Sequence, residues 1–179
     1  LGPKELCNLF SNYGNIEIAY VDKNQGLLTL VFNSVQGALS AQTHLDGLAI
    51  EGCPPLAVTL LPVNPRAETL PPGVSRFTPR KRFSAKGPGL PNRVNPPSRT
   101  LHATFHPDRP DLLPSEEQAF HFFSQIQTPL RVKRDGSGKS GGMWFVEYPS
   151  LSGAVSMVMT QHNRPVPGGS YRLSFTKTL

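Results

Sequence analysis

The feature that most constrains this chain is an internal repeat at an offset of 116 residues. GLLTLVFNSVQGALS (26–40) aligns with GMWFVEYPSLSGAVS (142–156). Gly26/Gly142, Ser34/Ser150, Gly37/Gly153, Ala38/Ala154 and Ser40/Ser156 are identical. Leu30/Val146, Phe32/Tyr148, Val35/Leu151 and Leu39/Val155 are alike in kind. A helical stretch precedes each copy (LCNLFSNYG, QAFHFFSQI), and a strand-like stretch follows (PLAVTLL, SYRLSFT). A repeat this long is a duplicated domain, not a solenoid unit. The 179 residues therefore divide into two small domains, 1–61 and 100–179, with 62–99 between them.

Each copy reads as helix, strand, strand, helix, strand. In the first, Pro3 starts a helix with Leu6, Leu9 and Phe10 on its apolar face, and Gly14 ends it. Residues 16–21 and 27–32 read as strands joined at Gln25-Gly26. Ser34 caps a helix carrying Ala38, Ala41 and Leu45, and 56–61 is the expected last strand. The second copy has an additional strand in front, TLHATF (100–105). Ser115 to Gln118 is a capping box, and Ala119, Phe122, Phe123 and Ile126 are expected on the inner face of the helix it opens. Strands near 130–134 and 142–148, a helix near 152–162 and a strand at 171–176 complete a βαββαβ order. The fold class is α+β, a ferredoxin-like sandwich with one sheet face bare.

Charge is unevenly placed. Residues 1–61 carry two basic and five acidic side chains, net −3. Residues 62–99 are net +7 and hold nine prolines; residues 100–179 are net +2. The middle segment reads as a basic linker that attracts polyanions, or as a solvated spacer. Its Leu70, Val74, Phe77, Phe83, Leu90 and Val94 predict that part of it docks on a domain surface. Two widely spaced cysteines argue against a disulfide framework and a four-ligand zinc site. His102 and His106 have no further ligand at metal spacing, so no cofactor is expected. With no apolar run of membrane length and no signal-peptide pattern, the chain is expected to be soluble and intracellular, with no membrane partner and no small-molecule substrate.

The bare sheet face suggests an RNA-recognition motif (RRM), which stacks bases of single-stranded RNA on its two central strands. Gly141 to Tyr148 matches the RNP1 pattern at Gly142, Phe145, Val146 and Tyr148. Alternation places Met143, Phe145 and Glu147 on one face, and Trp144, Val146 and Tyr148 on the other. Phe145 is the expected stacking platform; the alternative, a core aromatic, is disfavoured because Trp144 and Tyr148 already fill the opposite face. His102 and Thr104 share Phe145's face, with an inert edge histidine as the alternative. Arg131, Lys133, Arg172, Ser174 and Lys177 frame it as contacts for phosphates and base edges, or as solvated charges. In the first copy the corresponding positions are Leu27 and Thr29, with Tyr20 either stacking or a surface tyrosine. This domain is expected to bind RNA more weakly or to serve a protein partner. Gly138-Lys139-Ser140 lacks the first glycine of a P-loop and leads into a strand, so it is read as a basic loop. No Ser-His-Asp or paired-carboxylate pattern points to an enzyme.

NPPSRTLHATF (95–105), SGKSGG (137–142), YRLSFTKTL (171–179), LCNLFSNYGNIE (6–17), THLDG (43–47) and SRFTPRKRF (75–83) resemble one family. It is the polypyrimidine-tract-binding protein and heterogeneous nuclear ribonucleoprotein L family, in its third and fourth RRMs. The resemblance implies two domains packed through their helical faces, a linker sealing the contact, and RNA faces pointing apart. It implies pyrimidine-rich or CA-rich RNA, splicing and other mRNA processing, and ribonucleoprotein partners. It places the protein in the nucleus, with shuttling to the cytoplasm open. The first copy lacks a first strand, which is expected to lie before Leu1 and to leave two strands without their partner.

Overall fold

The computed structural model describes residues 1–62, 68–83, 89–91, 93–136 and 142–177. The Gly138-Lys139-Ser140 loop lies outside them. The chain forms two compact units: Leu1–Ala49 with Pro54–Val94, and Ile50–Cys53 with Asn95–Leu179. Among the described residues, no helix is long and apolar enough to cross a membrane.

The first unit begins with α1 (Pro3–Phe10), prolonged by a 3₁₀ turn over Ser11–Tyr13. Strands β1 (Ile16–Asp22) and β2 (Leu27–Phe32) pair antiparallel across a turn in which Gly26 has φ +64°. Ser34 then caps α2 (Val35–Leu45), its hydroxyl accepting from the Gln36 N–H at 3.2 Å. Cys7, Ile16 and Ala19 form a buried cluster on which Phe10, Leu28, Leu30, Phe32 and Phe77 pack.

Two expectations for this unit are corrected. Residues 56–61 are not a strand. They are tied instead to the end of α2: the Gly47 N–H donates to Leu56 O, and the Val58 N–H to the Asp46 carboxylate. Among the described residues no strand pairs with them, so their backbone joins no ladder. The third strand comes from the proline-rich segment: β3 (Val74–Phe77) pairs with β1, giving the order β2-β1-β3. Past it, Asn15 anchors the same segment. Its side-chain oxygen accepts from the Arg82 and Phe83 N–H groups, each at 2.9 Å, and its Nδ2 donates to Phe83 O.

The second unit has the complete βαββαβ order: β4 (Thr100–Pro107), α3 (Glu116–Phe123), β5 (Arg131–Arg134), β6 (Met143–Glu147), α4 (Leu151–Gln161) and β8 (Gly169–Phe175). A two-residue strand, β7 (Pro165–Val166), forms a hairpin with β8. The sheet order is β5-β6-β4-β8-β7, so the first strand of the motif lies centrally between the third and the last. The capping box of α3 is made in both directions between Ser115 and Gln118. That helix ends at Phe123, however, and Ile126 is exposed rather than inward, because the chain turns at Ser124 before reaching it. Trp144, Val146, Tyr148, Phe123, Leu173 and Tyr171 make the core, with Phe122 stacked on Tyr171 at 4.3 Å.

The repeated glycines have a packing reason. A Cβ on Gly37 would sit 3.1 Å from Tyr13 O and 3.2 Å from Phe32. A Cβ on Gly153 would collide with the Gln127 side chain. Each second helix thus crosses close over the segment that follows the first helix.

Candidate nucleic-acid interface

On the second unit's sheet, inward residues of β4, β6 and β8 are buried: Leu101, Ala103, Phe105, Trp144, Val146, Tyr171, Leu173 and Phe175. The intervening residues form the face away from the helices. His102 stands opposite Phe145 on one side and Ser174 on the other, and Lys133 is opposite Phe145. One row therefore runs Lys133, Phe145, His102, Ser174. The neighbouring row runs Met143, Thr104, Arg172. Arg131 lies opposite Glu147. Nine of the second unit's candidates are thus placed: eight share this face, and Lys177 is exposed just past the end of β8.

The His102 and Phe145 rings lie 5.2 Å apart, tilted by 56°, and both are half-buried. Such a pair presents π-surface without being sealed in the core. Burial lowers the His102 pKa below the usual histidine value; Asp135 opposes this and Arg172 adds to it. His102 is therefore predominantly neutral near pH 7, able to accept or donate a hydrogen bond to a base edge. Burial also lowers the pKa of Arg172. Arg134, the remaining cation of β5, points to the other side. It lies over the Trp144 ring at 4.6 Å and donates to Pro114 O.

The first unit departs from its expected site. Tyr20 is opposite Thr29, and Leu27 lies farther along the same face. Yet Tyr20 is only 7% exposed, and its hydroxyl has no partner among the described residues. It is neither a stacking platform nor a surface tyrosine. Leu27 is exposed and Thr29 half-buried, so no aromatic ring of β1 or β2 is open on this face. Arg76 of β3, opposite Tyr20, adds a cation that the linker reading of 62–99 did not foresee. Asp135 was also missed, although it continues the alternation of Arg131 and Lys133. Among the described residues, no three His, Cys, Asp or Glu side chains could hold a metal.

No family model and no curated protein matches the chain. Among solved structures it is similar to the RNA15 RRM, at 20% identity over 45% of this chain and 91% of that one, TM-score 0.37. It is also similar to the Rna15 RRM with bound RNA (GU), at 21% identity over 46% and 86%, TM-score 0.38. The N-terminal three RNA binding domains of the yeast splicing factor Prp24 align with 99% of this chain and 60% of that one, at 12% identity and TM-score 0.37. The strand order and connectivity, rather than these likenesses, give the second unit the RRM fold, and the first unit keeps the helix, strand, strand, helix part of that order with an edge strand added from the proline-rich segment.

Proposed function

We propose that the chain is a single-stranded RNA-binding module without catalytic activity, and that the open sheet face of the second unit is its main platform. The observation that carries this reading is the pairing of His102 and Phe145 on adjacent central strands, among Arg131, Lys133 and Arg172. Half-exposed rings offer a π-face to any base, and the flanking cations offer partners for phosphates. Pyrimidine-rich or CA-rich RNA is the proposed target, and splicing and mRNA processing in the nucleus the proposed setting, with shuttling to the cytoplasm open. Splicing or ribonucleoprotein proteins are the proposed partners. The sequence resemblance at 95–105 and 171–179 supports these finer points.

The test is titration of CU-rich, CA-rich and mixed RNAs at one fixed salt concentration, because phosphate binding varies steeply with salt. Phe145→Ala and His102→Ala are each expected to cost about 1–3 kcal/mol of binding with the melting temperature little changed. Wild-type affinity in the double variant overturns the reading. A second role, protein docking by the first unit, is favoured by its closed-off Tyr20 and its exposed Leu27, Val35 and Leu39.

A further inference from the structure

We propose that Thr78 is a phosphorylation site for a proline-directed serine/threonine kinase, and that its phosphate lowers the attraction of the basic segment for RNA. The second half rests on the reading of the chain as an RNA-binding module.

Such a kinase reads a hydroxyl followed directly by proline, with a cation three residues after the hydroxyl. The chain holds two threonine–proline pairs, and both meet this rule: Thr78-Pro79-Arg80-Lys81 and Thr128-Pro129-Leu130-Arg131. Sequence alone does not choose between them; the fold does. At the second, Thr128 is exposed but Pro129 is buried. The Leu130 N–H donates to Glu147 O at 2.7 Å, and Arg131 lies in β5, paired with β6. A kinase pocket cannot close on a buried proline ring, and its cleft cannot take a backbone already held in a ladder. At the first, Thr78, Arg80 and Lys81 are exposed and Pro79 is half-buried. Residues 78–82 form neither helix nor strand. Pro79 disfavours the helical region for Thr78, which biases the threonine toward the extended backbone that a kinase cleft accepts. The stretch is fastened on both sides. Phe77 pairs with Ala19 at the end of β3, and Asn15 accepts from the Arg82 and Phe83 N–H groups. The hydroxyl is therefore presented on a short span between two anchors, outside the packed elements.

In the transfer, the Thr78 Oγ1 attacks the γ-phosphorus of ATP bound to the kinase. The new O–P bond forms as the bond from that phosphorus to the β–γ bridging oxygen breaks. ADP leaves with that oxygen, and the hydroxyl proton passes to a base of the kinase. The product carries about −1.5 to −2 charges at pH 7. Thr78 stands two and three residues before Arg80 and Lys81. Its phosphate therefore competes with RNA phosphates for these two cations.

The test incubates the whole chain with a cyclin-dependent kinase and ATP, and maps the phosphate by tandem mass spectrometry. A single phosphate on Thr78 is expected. Thr128→Val should take it up like the wild type, and Thr78→Val should take up none. An unmodified Thr78, or Thr128 modified as fast as Thr78, overturns the site. RNA affinity of the two forms is then measured over a series of salt concentrations. The phosphorylated chain is expected to bind more weakly at low salt. Its plot of log affinity against log salt should be shallower by about one, the slope carried by one to two phosphate contacts. Identical affinity and slope in the two forms overturn the effect on RNA. Phe145→Ala separates this from the platform reading. If that variant binds RNA as tightly as the wild type, the platform reading falls, while the phosphate on Thr78 is judged by its own readout.

Discussion

His102 links the chemistry of the interface to the stability of its domain. Its pKa is lowered chiefly by burial, so the folded protein resists protonating it. The unfolded chain takes up the proton first as pH falls. Stability tied to this residue is therefore complete above about pH 6.5 and is lost as pH drops below it. Chemical denaturation at about pH 8 and about pH 5 should show a smaller difference between the two conditions in His102→Gln than in the wild type. An equal difference would mean that His102 is not the group responsible. At this scale the second unit was legible: Phe145 falls on a recognisable RNP1 pattern, and strand alternation sorts its neighbours. Tyr20 was not. Alternation put it on the correct face, opposite Thr29, but local sequence carries no sign of the distant packing that buries it.

Among the elements, the two helices that share Ser34/Ser150 and Gly37/Gly153 differ in what they press against. Alanine at Gly37 would meet the Tyr13 carbonyl and the Gly14 backbone, which cannot swing away. Overpacking of this kind costs about 1–3 kcal/mol, against roughly 1 kcal/mol gained from helix propensity. At Gly153 the obstacle is the half-buried Gln127 side chain, which accepts from the Ser150 hydroxyl at 2.9 Å and can rotate away. Losing that bond costs about 1 kcal/mol, close to the propensity gain. Thermal denaturation should therefore show Gly37→Ala destabilising the first unit and Gly153→Ala nearly neutral. The reverse order would contradict the packing described. Helices and caps were readable because their signals are local. Strand β3 was not, since four residues in a proline-rich run have no periodicity to read; Phe77 packing on the Cys7, Ile16 and Ala19 cluster holds them there. The failure of 56–61 to form a strand follows from long-range pairing, which its own residues do not reveal.

For the whole molecule, the repeat foretold two domains of one architecture, and the absent first strand with Leu27 and Thr29 at the face positions already marked the first as the weaker. The second unit has a five-stranded sheet with aromatic rings and cations on its open face. The first has a three-stranded sheet completed from the basic segment, with its one outward tyrosine buried. The net charge of residues 62–99 would make that segment an obvious polyanion contact, yet part of it is committed to the first unit through β3 and Asn15. RNA binding is thus expected to centre on the second unit, with the basic segment adding salt-sensitive attraction. The most direct measurement is a residue-resolved NMR titration of the isotopically labelled whole chain with a short single-stranded RNA at fixed salt. The largest shifts are expected at His102, Thr104, Lys133, Met143, Phe145 and Arg172, with smaller ones at Leu27 and Thr29. Shifts confined to residues 76–83 or to the first unit, with the second unit's sheet silent, would contradict the account.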